Sequence, residues 1–463
     1  MTTNVHEKRL SQFMAYSAAM SLVLTVALIY DLGRTSAPAA SGESPTTAVP
    51  GAGPQSGTGD GIANPNAAGP SISDNRAGGT TSLPDERRGV TGESIKIGSI
   101  FTETGPFDGR PAENALRALI QTVNESGGVH GRKITLAVCD DGYDATRGVQ
   151  CAKRLVQQDK VFAIAGWLAP ASEAQALPYF IQQGVPVVGG GIPQDFGPKT
   201  VFPNNFNQSR MGPGIAPTVC ATGAKKIVMV IVDIPHAGAW IDTMQKGLEE
   251  KCGFRAIRTD EVSAATPDYS SYVVQWRASG ADSILAVLDP MSLGRLFQAL
   301  KRQAWEPKLV TINAPTANAE HLAAGIIPPE GTIDFESHLW PLAHPGHPGA
   351  ERFLGALRRY YPGTPINPLM ELPWSGGELF IEGLRRAGPD PTRAKLIAGL
   401  NTLDDFVTDL TPPVTFTAND HDAFRCIEVL RWSNDRWVLH KPQWQCWNYT
   451  AKSARAAPSR PYQ

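Results

Sequence analysis

Residues 95–107 read IKIGSIFTETGPF, an apolar, β-prone run (Ile95-Lys96-Ile97-Gly98-Ser99-Ile100) that breaks at once into small and polar residues. Pro111, a residue favoured at the first helical position, then opens a segment with Leu116, Leu119, Ile120 and Val123 on one face. A strand, a Gly- and Thr-containing loop and an amphipathic helix make the first half of a βαβ unit. The pattern continues with a strand over 133–138 and a helix capped by Asp144 that runs through Val156. Next come a strand at 161–165, a helix from Ser172 to about Gln183, a strand at 185–188 and an edge strand at 200–203.

After a break at 210–217 the series restarts. Strands are expected at 227–232, 255–262, 283–288 and 309–312, with helices at 239–250, 269–279 and 293–303 between them. A strand at 332–336, helices at 350–361, 376–387 and 392–400, and a hairpin turning at Asn434-Asp435 complete the chain. Strands alternating with helices of this length predict parallel sheets, and two series predict two doubly wound lobes. The fold class expected is therefore α/β, two Rossmann-like lobes. The 463 residues also exceed what one hydrophobic core usually holds.

The N-terminal 89 residues are different in kind. Lys8 and Arg9 precede Met14 to Tyr30, an uncharged stretch whose length fits a membrane anchor or the core of a signal segment. The basic pair orients the N-terminus to the cytoplasm and exports the rest. The anchor is the favoured reading, and cleavage after Ala37-Pro38-Ala39 is the alternative. Residues 34–89 are dense in Pro, Gly, Ser, Thr and Ala and carry too few large apolar side chains to offset ordering entropy, so they read as a disordered tether. Residues 450–463 read as a flexible tail.

Charge is balanced, 42 Lys+Arg against 44 Asp+Glu, with no basic stripe. A nucleic-acid partner is not expected. Neither G-x-S-x-G, H-E-x-x-H, a P-loop nor an EF-hand occurs, and no cofactor or enzymatic role is expected. His338, His344 and His347 share a Pro/Gly-rich loop, and Asp140, Asp141 and Asp144 share a turn. For the acids turn and cap roles outweigh a cation site, and for the histidines a metal site is not expected. The six cysteines lie beyond the apolar segment, as Cys139/Cys151, Cys220/Cys252 and Cys426/Cys446. Even number and export favour three disulfides over six buried thiols. Closing the Cys139–Cys151 loop contributes about 3 kcal/mol by chain entropy.

The runs 95–107, NESGGVHGRKI (124–134), DDGYD (140–144), LVQQDKVFAIAG (155–166), VPVVG (185–189) and VTFTANDHD (414–422) resemble ABC-transporter solute-binding proteins of the branched-chain-amino-acid type. The resemblance spans about Val90 to His440. It implies a type I periplasmic-binding fold, with two lobes joined by a three-crossing hinge that closes on a small solute, and an ABC permease as partner. Lobe I is expected at 90–209 and 331–411, lobe II at 210–330, with a C-terminal hairpin, 412–449, on lobe II. A sensor of the same fold signalling through a partner is the alternative, and an enzyme on this scaffold a third reading.

In doubly wound sheets ligands bind outside the carboxyl ends of the strands. That rule, with the resemblance, selects Thr104, Trp167, Ser172, Gly190, Gly191, His236, Asp289 and Asn313 as solute contacts. Bland readings stand beside them. They make Trp167 a plug of its lobe, the glycines turn residues, His236 a surface histidine and Asp289 a helix cap. Family anchors for an α-amino acid are replaced here: Pro170 for a serine, Ala237 for a tyrosine and Thr266 for the acid that pairs the ammonium. An unpaired buried ammonium is costly, so the resemblance does not imply an ordinary α-amino acid. Thiol titration of the denatured, unreduced chain should find no reactive cysteine; six would contradict the disulfide reading.

Overall fold

The computed structural model describes residues 86–105, 108–190, 199–205, 207, 211–233, 237–313 and 327–447. The apolar segment at 14–30, nearly all of the tether, Gly191, His236 and the tail at 450–463 lie outside them. Among the described residues no helix is long and apolar enough to cross a membrane.

Parallel strands β1 (Ser94–Phe101), β2 (Lys133–Asp140), β3 (Ala163–Ala165), β4 (Val187–Val188) and β5 (Val201–Phe202) form the first sheet, in the order β2-β1-β3-β4-β5. Their crossovers are α1 (Arg110–Glu125), α2 (Ala145–Gln157) and α3 (Glu173–Gln182). Successive side chains of a strand face opposite sides, so the sheet needs apolar cover on both. Ile95, Ile97 and Phe101 pack in the same core as Leu116 and Leu119 of α1, whereas Ile100 packs with Leu155 of α2 and Phe180 of α3.

The second sheet repeats that order. Helix α4 (Gly212–Ala221) leads into β6 (Ile227–Val232), α5 (Ala237–Cys252), β7 (Arg258–Val262), α6 (Ser270–Ala278), β8 (Ser283–Val287), α7 (Pro290–Arg302) and β9 (Leu309–Ile312). Next to β9 lies β10 (Ile333–Glu336), also parallel, giving the order β7-β6-β8-β9-β10. Antiparallel β11 (Cys426–Ser433) and β12 (Arg436–Leu439) extend this sheet beyond β10, and β13 (Gln445–Cys446) pairs with β11. Strand β6 shows the two-sided burial in its sequence: Ile227, Met229 and Ile231 share a core with Met244 and Leu248 of α5, while Val228 and Val230 pack with Trp276 and Leu296. Between β10 and β11 the chain returns to the first lobe as α8 (Pro348–Tyr360), α9 (Glu371–Ala387) and α10 (Arg393–Leu400). There α8 and α9 pack on α1, and α9 reaches β3 and β4.

Three expectations are corrected. The strand expected to open the second part of lobe I is β10, and it belongs to the second sheet because its backbone pairs with β9 on one side and β11 on the other. The break expected at 210–217 is largely helix α4. Its Pro213 falls in the first turn, where no intrahelical donor is lost, and Ile215 and Val219 are buried despite Pro217 inside the helix. The expected tether ends before Glu86, whose carboxylate accepts the Ala394 N–H at 2.9 Å at the start of α10.

The structure joins Cys139 to Cys151, Cys220 to Cys252 and Cys426 to Cys446. The second of these pins α4 to α5, which run backbone against backbone: a Cβ on Gly247 would lie 2.6 Å from the Gly212 backbone. Gly247→Ala should therefore lower unfolding free energy by about 1–3 kcal/mol through overpacking. Denaturant titration measures this, and an unchanged midpoint would refute the close approach.

Candidate functional site

Strand order reverses between β1 and β3 in the first sheet and between β6 and β8 in the second, so each lobe has its crevice at the carboxyl ends of those strands. On the first lobe this edge carries the loops after β1, β2, β3 and β4. Thr104 is exposed; its hydroxyl donates to Asp140 Oδ2 at 2.6 Å. Burial works to raise the Asp140 pKa, but that hydroxyl and the N–H groups of Gly142, Glu103 and Thr104 outweigh it and hold the carboxyl below its usual range. Asp141 accepts from the Thr102 hydroxyl at 2.7 Å, and Asp144 caps α2 through the Arg147 N–H. These three acids thus serve turns and a cap.

Trp167 and Ser172 point into the lobe. Trp167 is fully buried, edge-on to Phe180 at 5.5 Å, with an indole N–H that has no hydrogen-bond partner among the described residues. Ser172 makes no side-chain cap bond to α3; its hydroxyl donates back to the Ala169 carbonyl at 3.5 Å, and its Cβ packs against Gly148 of α2. Gly189 and Gly190 have φ of +81° and +135°, and a Cβ on Gly189 would meet the Gly376 backbone of α9 at 2.8 Å. Turn geometry and close packing therefore require glycine at 189. Gly190 donates its N–H to Asn204 Oδ1 at 2.9 Å, and the buried Glu173 carboxylate lies over its Cα.

On the second lobe, Asp289 and Asn313 follow β8 and β9. Asp289 Oδ1 caps α7 by accepting the Ser292 N–H at 3.0 Å, while its buried Oδ2 has no partner among the described residues. Asn313 Oδ1 is buried and likewise without a partner. The Tyr143 phenol, on the first lobe, is pushed up by burial and then by the charges of Asp289 and Asp141. Asp289 therefore lies within electrostatic reach of the opposite lobe. Tyr269 at the start of α6 is fully buried and feels Asp289 as well. Thr266 donates its N–H to the Ser263 carbonyl in a turn.

The three loop histidines have separate partners. His338 bonds Ser337 and Ser375 at 2.7 Å each, His344 bonds Glu428, and His347 caps α8. Among the described residues no group of three or more His, Cys, Asp or Glu side chains could hold a metal ion.

Glu173 and Asn204 are not singled out in the sequence, and Tyr143 and Tyr269 stand there only within the runs DDGYD (140–144) and DYS (268–270) that carry the resemblance. Glu173 follows Ser172 and begins a helix, which gives a local signal; the others are placed by contacts remote in the chain. Glu103 was also missed. Its pKa is raised from 4.5 to about 7 by burial first, then by its hydrogen bond to Glu113 and by the charges of Glu113 and Asp140, against the pull of Arg117.

The profile described as periplasmic binding protein matches residues 94–436. A protein of Brucella abortus (strain 2308) described as Leu/Ile/Val-binding protein homolog 7 is 21% identical over 369 residues, 75% of this chain and 91% of that protein. The fatty acid ABC transporter substrate-binding protein from Thermomonospora curvata superposes with a TM-score of 0.68 at 19% identity, covering 79% of this chain and 97% of that one. A solute-binding protein of an R. palustris ABC transporter, in complex with benzoate, gives 0.64 at 15% identity over 76% and 96%.

A carboxyl with a raised pKa favours folding below its ordinary range, and that contribution is lost as pH rises through the raised value. Between pH 4.5 and about 7 the protein should lose stability that Glu103→Gln does not lose. Unfolding free energies of both proteins across that window test this; parallel pH profiles would contradict it.

Proposed function

We propose that this chain, which belongs to the periplasmic binding protein family whose profile spans most of it, is the solute-binding component of an ABC-type uptake system. It resembles the branched-chain-amino-acid type, and members of the family bind small solutes outside the cytoplasm. The observation that carries the reading is Asp289: one oxygen caps a helix at the crevice of the second lobe, and the other is buried, without a partner among the described residues and within electrostatic reach of Tyr143 on the first lobe. A buried acceptor without a partner is costly, and a donor on a solute held between the lobes would satisfy it.

Asn313, after the neighbouring strand β9, offers a second buried acceptor without a partner among the described residues. On the first lobe Gly190 and Thr104 follow β4 and β1 at the carboxyl edge of the sheet, and Gly191 and His236, outside the described residues, are kept as proposed contacts from the sequence. Trp167 and Ser172 act, in this reading, by shaping their loop from within. The solute is a small polar organic molecule with hydroxyl or amide donors. Thr266 offers no charge for an α-ammonium, which supports a ligand lacking that group; proteins of this fold are described with ligands as different as benzoate, isoleucine and valine, so the fold itself does not choose among them. Hinge closure buries it. An uncharged segment at 14–30 behind Lys8-Arg9 supports anchoring of the receptor to the membrane, with residues 34–85 as tether.

Isothermal titration against amino acids, amides, polyols and aromatic acids should identify at least one tight ligand. Leucine should bind more than about tenfold weaker than that ligand, a difference of about 1.4 kcal/mol or more. Failure of every small solute would overturn the proposal, and micromolar leucine binding would overturn the part that rests on Thr266.

A further inference from the structure

Four carboxylic acids meet where the chain crosses between the lobes. Asp334 and Glu336 lie on β10, Glu428 faces Glu336 from β11, and Glu371 begins α9 of the first lobe. All four are buried: Asp334 is 0% exposed, Glu371 2%, Glu428 5% and Glu336 8%. Asp334 and Glu336, two residues apart on β10, are near enough to share a proton, and apart from each other Asp334 has no hydrogen-bond partner among the described residues, nor has one oxygen of Glu371. Glu428 is better served, accepting the Trp340 N–H at 2.9 Å and bonding His344. Residues 337–341 leave β10 beside this cluster and enter the first lobe, where Leu339 donates its N–H to the Leu410 carbonyl.

We propose that Asp334, Glu336 and Glu371, gathered about the His344-bound Glu428, form a proton-loaded hinge: with protons bound, Glu371 of the first lobe stays buried beside the acids of β10 in the second, and loss of those protons drives the two surfaces apart and frees the crossing.

The neighbouring groups supply little compensating charge. On the crossing itself His338 is held to about 3 by burial, so it is neutral and only bridges Ser337 and Ser375. The turn after it contributes His344, already engaged with Glu428. Arg352 of α8 is committed to Asp409, whose N–H bonds Glu378 of α9, and His347 caps α8. Before β11, Arg425 pairs with Asp420 at 2.6 Å and bonds the Asp422 carbonyl. Asp334, Glu336 and Glu371, buried beside Glu428 with so little compensating charge, are costly to ionise. Burial raises Asp334, Glu336 and Glu371 well above the usual carboxylate range, and Glu428 raises each further. Contributions of raised acids are present at low pH and lost as pH rises through their values, so alkaline conditions loosen the hinge. A receptor whose lobes part and close would then hold its solute more firmly at acid pH.

Hydrogen exchange of the full chain, without added solute and corrected for intrinsic rates, tests this at about pH 6 and about pH 9. In the wild type, protection at 337–341 and 408–412 should fall at least about tenfold at the higher pH. Glu371→Gln and Glu336→Gln mimic the protonated acids and should remove that response, while Glu382→Gln, farther along α9 and paired with Arg386, should keep it. No excess loss in the wild type, or an equal loss in both Gln variants, overturns the proposal. Failure of both variants to fold overturns it too, since a neutral isostere preserves the state it requires. Solute binding is read separately, so neither result bears on the receptor assignment.

Discussion

Pairing of β10 with β11 decides how two sheets are built on one chain. Strand β10 closes the parallel series of the second sheet, and the chain then leaves for three helices of the first lobe before β11 returns antiparallel to it. Without that return, α8, α9 and α10 would hang from one end. With it, the second sheet gains a disulfide-linked edge and the first lobe gains α9 against β3 and β4. The register that achieves this sets Glu336 opposite Glu428, which is why the crossing carries buried acid rather than apolar packing.

The two lobes reach the same solution from different residues. Both use the order in which the first two strands reverse, which leaves a crevice at the carboxyl edge. In the first lobe the edge is closed tightly by glycine: Gly166, Gly189 and Gly376 let α9 come within backbone contact of β3 and β4. In the second, Asp289 and Asn313 bring polar atoms to the edge, and one acceptor of each has no partner among the described residues. A rigid, glycine-packed wall facing a wall with free acceptors suits a receptor that selects by hydrogen bonding, because selectivity comes from what an unpaired polar group costs when the ligand cannot satisfy it.

Much of the architecture was legible in sequence because the strands are apolar runs bounded by turn residues. Ile227–Val232 and Leu309–Ile312 fall where expected, and Asn434 and Asp435 both take positive φ in the hairpin turn. What escaped is what local pattern does not encode. Helix α4 was hidden by Pro213 and Pro217, since its stability comes from the disulfide and from α5 rather than from propensity. Sheet membership of β10 depends on partners distant in the chain. At the site, the cap role of Asp289 was readable from its place before a helix, but its second, unpartnered oxygen was not. Trp167 and Ser172 lay in the right loop and yet turn inward, because loop direction does not fix side-chain direction.

The central claim is that a small solute sits between the carboxyl edges of the two sheets. A crystal structure with the tightest-binding solute tests it most directly. The account predicts density for the solute between the loops after β1, β3 and β4 and those after β6, β8 and β9, with Asp289 Oδ2 or Asn313 Oδ1 accepting a hydrogen bond from it. Solute bound away from those edges, for instance in the groove beside Arg359 and Trp374 on the outer face of the first lobe, would contradict it.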